Sequence, residues 1–249
     1  MIRVLISIII WLIYGIFFIT MFPFALLAYL ISFPFDKYYR LPNWILLNVG
    51  KLYLKINPYW KIKINGLHNY NRHKPVIFIS NHQSFLDMPL QALMPWTFKW
   101  VSKKSLFYIP FMGWTMKLSG HISIDRDKKT AMRALERMIP ILNKNIPVII
   151  FPEGTRSRDG ELHKFKNGAF NIALKNNIHL QPIVIDGTHN ILSSDDWRFT
   201  IKQDIYMSIL ESIDPDDFDT MADLKKYAYR VMKDELVNIR DQNKAHQNV

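Results

Sequence analysis

Two stretches of this chain hold side chains able to move a proton and grip an anion. In Asn81-His82-Gln83-Ser84-Phe85-Leu86-Asp87 a histidine and an aspartate stand five positions apart. At a strand-to-helix turn this spacing lets the carboxylate fold onto one imidazole nitrogen. The other nitrogen is then left as a base, oriented and made more basic by its partner. The same residues also read Ser84-x-x-Asp87, a helix-capping pattern, with His82 as a plain loop residue. In Phe151-Pro152-Glu153-Gly154-Thr155-Arg156-Ser157 an apolar run enters a Pro, a carboxylate, a Gly and an Arg. Gly154 lets the backbone approach a ligand closely. Thr155 and Arg156 suit phosphate oxygens, and Glu153 suits a hydroxyl; a solvated turn is the other reading.

Two further segments are weaker. Gly120-His121-Ile122-Ser123-Ile124-Asp125-Arg126 ends in an Arg able to meet a phosphate bidentately, or to pair with Asp125 or Asp127 on the surface. Gln181-Pro182-Ile183-Val184-Ile185 reads as a core strand without chemistry of its own. The chain has no Gly-x-Ser-x-Gly elbow, no Walker loop, no His-Glu-x-x-His and no Gly-x-Gly-x-x-Gly. Its lack of Cys excludes a thiol nucleophile, a thiolate zinc site and a disulfide framework. A base, phosphate clamps and no advertised covalent nucleophile suit activation of a hydroxyl on a phosphate-bearing acceptor.

The elements that must position these groups alternate. After Pro58, strands are expected at Trp60–Ile64, Val76–Ser80, Phe98–Ser102, Ile122–Ile124, Val148–Phe151, Leu180–Ile185 and Ile205–Leu210. Helices are expected at Asp87–Leu93, Lys103–Leu118 with a break near Pro110 and Gly113, Thr130–Leu142, Ala169–Lys175 and Met221–Ile239. Thr220-x-x-Asp223 opens the last one. This pattern predicts an α/β fold with a mainly parallel sheet covered by helices. Ligands of such sheets sit beyond the carboxyl ends of strands, where the His82 and Glu153 loops begin.

The N-terminus is different. No charged residue occurs from Val4 to Phe35, longer than the roughly 20 apolar residues a spanning helix needs. It is also far longer than the roughly 7–15 residues of a signal-peptide core. Pro23 predicts a kink or break near Phe22. Arg3 before the run and Lys37 and Arg40 after it place basic residues on both flanks, which favours a hairpin or leaflet-embedded anchor over a single signal-anchor crossing. Trp44–Ile56 carries Ile45, Val49, Leu52, Tyr53 and Ile56 on one face and Lys51 and Lys55 on another. It reads either as an interfacial helix or as one packed on its own domain. The expected organisation is therefore an anchoring segment 1–57, an α/β domain 58–241 and a frayed polar tail 242–249. The 249 residues fit one domain plus an appendage, and 49% apolar content excludes a disordered chain. A net charge of +11 calls for an anionic partner; the apolar N-terminus makes that a membrane and a phosphorylated lipid rather than nucleic acid.

Taken in order, the four segments resemble the glycerolipid acyltransferases, specifically the bacterial 1-acylglycerol-3-phosphate acyltransferases. The family's His-x-x-x-x-Asp motif matches His82 and Asp87, with Asn81 before them. Its Gly-x-Ile-x-Ile-Asp-Arg block matches Gly120–Arg126, and Phe151–Ser157 matches its third block without a change. Its Pro-containing fourth block resembles Gln181–Ile185. Ser123 stands where Phe is common in the family, a change that bears on pocket shape. The resemblance spans about Ile62 to Gly187 and implies acyl transfer from acyl-CoA or acyl-acyl carrier protein to the 2-hydroxyl of lysophosphatidic acid, giving phosphatidic acid. It implies His82 as base and Asp87 as its orienting partner. It implies Arg126, Arg156 and Lys103 on the acceptor phosphate, with Glu153, Gly154 and Thr155 shaping that site. No metal or cofactor is implied, because the thioester is already activated. The basic residues on both flanks of the apolar run put the catalytic domain on the cytoplasmic side, so the expected location is the inner membrane facing the cytoplasm. A related acyltransferase for glycerol 3-phosphate, a lysophospholipid or an aminolipid is the alternative reading. A non-catalytic lipid-binding protein is another.

Overall fold

The computed structural model describes residues 2–54, 59–125 and 128–247. The chain divides into two compact units, each assembled from two stretches: 1–57 with 88–149, and 58–87 with 150–249. The N-terminal helices therefore pack with a central stretch of the chain, and residue 57 does not part an anchor from one undivided α/β domain.

The second unit holds β1 (Trp60–Asn65), β2 (Val76–Ser80), β6 (His179–Asp186) and β7 (Gln203–Ile209). β1 pairs with β7 and β2 with β6 in parallel, while β6 and β7 run antiparallel. Every residue of β2 is buried, which is why it reads as an unbroken apolar run. β1 alternates apolar and exposed Lys, as a one-sided strand must. Helix α7 (Gly168–Asn176) packs on β2 and α9 (Met221–Gln247) on β6. The Thr220 hydroxyl oxygen accepts from the Asp223 N–H at 3.2 Å, capping α9 as the sequence predicts. The tail does not fray at Gln242. No Gly or Pro follows Met221, and Gln242 donates to Asn238 one turn back, so the helix runs to Gln247.

The first unit holds β3 (Lys99–Lys103), β4 (Ile122–Ile124) and β5 (Val148–Ile150), with β3 parallel to both neighbours. The sheet is thus mainly parallel, as expected. Around these strands come α4 (Met112–Leu118), α5 (Lys128–Glu136) and α6 (Ile139–Leu142). The single helix expected over Thr130–Leu142 is two. Pro140 has no N–H for the Glu136 carbonyl, and its ring opposes a continuous turn.

Helix α1 (Ile2–Ser32) is continuous through Pro23 and does not break near Phe22. One missing N–H costs a single bond, and the apolar residues on both sides offer their backbones no other partner. At about 1.5 Å per residue it is longer than a hydrocarbon core of roughly 30 Å. By length and composition α1 qualifies as a candidate membrane anchor. Ser7, Tyr14, Met21, Ala25 and Ala28 form a buried seam, whereas Leu5, Leu12, Ile16, Ile19, Leu27 and Ile31 are exposed. Its unit partners are α2 (Arg40–Leu54) and α4. α2 buries Leu46, Leu47 and Leu54 and exposes Leu41, Trp44 and Leu52. It therefore packs on its own unit and also presents an apolar stripe, which shares Leu52 with the expected face and adds Leu41 and Trp44. Lys55 and Ile56 lie outside the described residues.

Candidate active site

Among the described residues, the groups with catalytic geometry lie in the second unit. β2 ends at Ser80, and Asn81 fixes the exit from the strand: its amide donates to the Ile185 carbonyl and accepts from the Ile185 N–H, both at 2.7 Å. The chain then turns through His82 into α3 (Asp87–Gln91). The His82 Nδ1 lies 2.7 Å from Asp87 Oδ2. That same oxygen accepts the backbone N–H groups of Gln83 at 2.7 Å and Ser84 at 2.9 Å. Asp87 Oδ1 accepts the Thr188 hydroxyl at 2.6 Å. Four donors converge on one fully buried carboxylate, so it acts as an acceptor only. The imidazole hydrogen sits on Nδ1 and the lone pair on Nε2. Capping and orienting prove to be one task here: the carboxylate ties the first turn of α3 and the imidazole together. The ring itself is partly exposed and stacks on Phe151 at 3.9 Å between centroids.

The loop after β5 grips the His82 backbone from both sides. Glu153 Oε1 accepts the His82 N–H at 2.9 Å, and the Ser157 N–H donates to the His82 carbonyl at 2.7 Å. Glu153 Oε2 accepts the His163 N–H at 3.1 Å. Glu153 is buried, and burial pushes its carboxyl up to about 7 although both backbone bonds favour the charged form. Glu153 is expected from the sequence to hold an acceptor hydroxyl; in the structure each of its oxygens accepts one backbone N–H. Its oxygens face the protein's own amides, so it positions His82. Behind it, His163 Nε2 lies 2.9 Å from Asp159, and this bond raises the histidine's pKa and lowers the aspartate's.

Gly154 closes a turn with its N–H on the Phe151 carbonyl at 3.0 Å and adopts φ 74°. A Cβ there would stand 2.5 Å from the Lys166 Nζ. The ammonium therefore lies over the Gly154 backbone, beside exposed Thr155 and Arg156. Lys166 and Thr188 are the two groups that sequence reasoning misses. In sequence, Phe165-Lys166-Asn167-Gly168 reads as the opening of a helix whose N-terminus favours anions, with no role for the Lys166 ammonium itself. Thr188 comes directly after the fourth segment, through Gly187 at φ 94°, whose missing side chain admits the Asp204 carbonyl. The fourth segment thus has a chemical part after all, delivered by the residue at its end. Lys103 ends β3 in the first unit and is exposed; Arg126 lies outside the described residues. His121, in the second segment, is buried with Nδ1 accepting the Trp100 N–H at 3.1 Å, and burial pushes its pKa well down.

The site thus joins a carboxylate-held histidine and a cationic Gly turn on a mainly parallel α/β chain. A family model described as Acyltransferase matches residues 61–186, and the chain belongs to that family. A 1-acyl-sn-glycerol-3-phosphate acyltransferase of Haemophilus influenzae is 32% identical over 172 residues, covering 67% of this chain and 70% of that protein. One of Chlamydomonas reinhardtii is 39% identical over 162 residues, covering 64% of this chain and 48% of its own. The chain spans about half the length of that relative and of other curated plant relatives it matches. The crystal structure of the 1-acyl-sn-glycerophosphate acyltransferase of Thermotoga maritima superposes with a TM-score of 0.81 at 26% identity, over 96% of both chains.

Proposed function

We propose that this chain transfers a fatty acyl group from acyl-CoA or acyl-acyl carrier protein to the 2-hydroxyl of 1-acylglycerol 3-phosphate, giving phosphatidic acid. The observation that carries the reading is the 2.7 Å bond from His82 Nδ1 to the buried Asp87, which leaves Nε2 as a base. His82 Nε2 takes the hydroxyl proton as the acceptor oxygen attacks the thioester carbonyl. Asp87 stabilises the imidazolium. The new C–O bond forms, the C–S bond breaks, and the leaving thiolate takes the proton back from His82. Atoms and charges balance without ATP, a metal or a redox partner. A placed base contributes about 100- to 10,000-fold, so positioning of the two substrates supplies the rest of the rate.

Arg156, Thr155 and Lys166 are the groups assigned to the acceptor phosphate, around the open backbone of Gly154. Lys103 and Arg126 carry phosphate-binding roles on the family resemblance alone. α1 holds the protein in the membrane, with the site on the cytoplasmic side of the inner membrane, where acyl thioesters are made. The test is purified protein in mixed micelles with labelled acyl-CoA or acyl-acyl carrier protein. The acceptors are lysophosphatidic acid, glycerol 3-phosphate, a lysophospholipid and an aminolipid. Labelled phosphatidic acid from lysophosphatidic acid alone supports the reading. Preferential labelling of another acceptor replaces it.

A further inference from the structure

The reading of α1 as an anchor leaves one surface of the first unit unaccounted for. Residues 104–118 fold into a 3₁₀ turn (Lys104–Tyr108), a bend at Pro110 and helix α4. The bend is rigid: Met112 N–H bonds the Pro110 carbonyl at 2.6 Å and Gly113 N–H the Ile109 carbonyl at 2.8 Å. Phe111 sits at φ 60° and Gly113 is pressed against the Phe107 backbone. Held this way, Tyr108 is 65%, Ile109 44% and Trp114 41% exposed. A soluble loop gains nothing from ordering three large apolar side chains outward.

Their neighbour is α1. Phe22 of that helix meets Phe111 at 5.8 Å and Trp114 at 5.4 Å between centroids. The apolar surface of α1 therefore continues into Trp114. Charge points the same way. Lys103, Lys104 and Lys117 are exposed around the bend, Lys117 over the Tyr108 ring at 5.7 Å. The sequence from Met88 to Ile124 contains no Asp or Glu; Asp125 follows and lies 3.5 Å from Lys104. Tyr and Trp beside an apolar helix, ringed by lysines, match the headgroup layer of an anionic bilayer.

We infer that Tyr108, Ile109 and Trp114 form a second lipid contact, seated at headgroup depth beside α1. With the outward Leu41, Trp44 and Leu52 of α2, it fixes the rotation of the unit about α1. An acidic carrier protein is the other partner that such charge could attract, and continuity with α1 favours lipid.

The chain has no cysteine, so a single introduced one takes a spin label uniquely. Leu12→Cys, Ile109→Cys and Lys233→Cys, each in the full chain, go into vesicles of phosphatidylethanolamine and phosphatidylglycerol. Accessibility to oxygen is compared with that to a water-soluble nickel chelate. The expected result is lipid-like accessibility at positions 12 and 109, shallower at 109, and aqueous accessibility at 233. A lipid-like label at 12 with an aqueous one at 109 overturns the second contact and leaves the anchor standing. An aqueous label at 12 removes the anchor and this contact with it. Protection of 109 by acyl carrier protein in the absence of lipid, with no burial in vesicles, gives the surface to that partner instead.

Discussion

The Thr188 hydroxyl donates to Asp87 Oδ1 at 2.6 Å, so the carboxylate that orients His82 is held from the far end of β6, 101 residues on. Asp87 Oδ2 is taken up by His82 and two backbone amides, and the Thr188 bond is what fixes the remaining oxygen. Thr188→Val keeps the shape and deletes the donor. A hydrogen bond to a charged group is worth about 1.5–3 kcal/mol, and the variant is expected to lose stability on that scale. It is also expected to lower kcat more than the acceptor KM. Urea unfolding together with steady-state kinetics checks both, and an unchanged kcat would remove Thr188 from the machinery.

His82→Ala is expected to lose acyl transfer by about 100-fold or more with the fold retained. Asp87→Asn removes the charge and, with its amide oxygen kept toward Gln83 and Ser84, turns N–H₂ toward the Thr188 hydroxyl, so it is expected to lose both activity and thermal stability. Circular dichroism melts separate the two variants. Near wild-type turnover by folded His82→Ala would end the proposed chemistry.

Arg156→Ala and Lys166→Ala are each expected to raise the acceptor KM, with the donor KM little changed. Loss of one charge-assisted bond corresponds to roughly 10- to 150-fold. A rise in donor KM alone would move these cations to the phosphates of the thioester carrier.

Glu153 gives a pH dependence whose sign is fixed. Its carboxyl titrates at about 7 in the folded chain against an ordinary 4.5. Between those values the folded state keeps a proton that the unfolded state has released. The contribution to stability is therefore full below pH 4.5, falls as pH rises through that window, and is gone above 7. Unfolding free energies from pH 5 to 8 are expected to show this slope in the wild type. They are expected to show less of it in Glu153→Gln, whose side chain does not ionise. Glu153→Gln also turns a donor toward one of the two amides, so kcat is expected to drop.

Deleting the N-terminal helix is a poor test of the anchor, because α1 covers Phe111 and Trp114 and packs along α2 and α4. Charges on its outer face are better. Leu12→Arg with Ile16→Arg, both outward, places two cations at a cost of about 2.5–3.5 kcal/mol each at mid-bilayer. The expected outcome is loss of membrane retention on flotation with the second unit's fold intact. Full retention in high salt would show that another surface holds the protein.

The sequence by itself determined the local features. Period-two and period-3.6 patterning placed the strands and helices, because side-chain direction is set by each element's own geometry. The five-residue spacing from His82 to Asp87 predicted the couple, since both residues lie on one strand-to-helix turn. The uncharged run from Val4 to Phe35 marked a candidate membrane anchor by length and composition. Local chemistry overstates the effect of Pro23, whose missing N–H does not end the long apolar helix. It understates that of Pro140, where the same missing bond ends one.

Tertiary structure decided which partners meet across long stretches of chain. Glu153 could hold a substrate hydroxyl or the protein's own amides. Only folding shows that the His82 and His163 N–H groups donate to its two oxygens. Thr188 carries no signal in the sequence, because its role depends on β6 lying beside β2 and ending level with α3. Lys166 reaches Gly154 only because the loop doubles back. The exposed faces of α2 and of the Tyr108–Trp114 bend depend on the surface that α1 covers, which no helical wheel contains. Hydrogen-bond partners distant in sequence are set by the packing of whole elements, and that packing is a property of the complete chain.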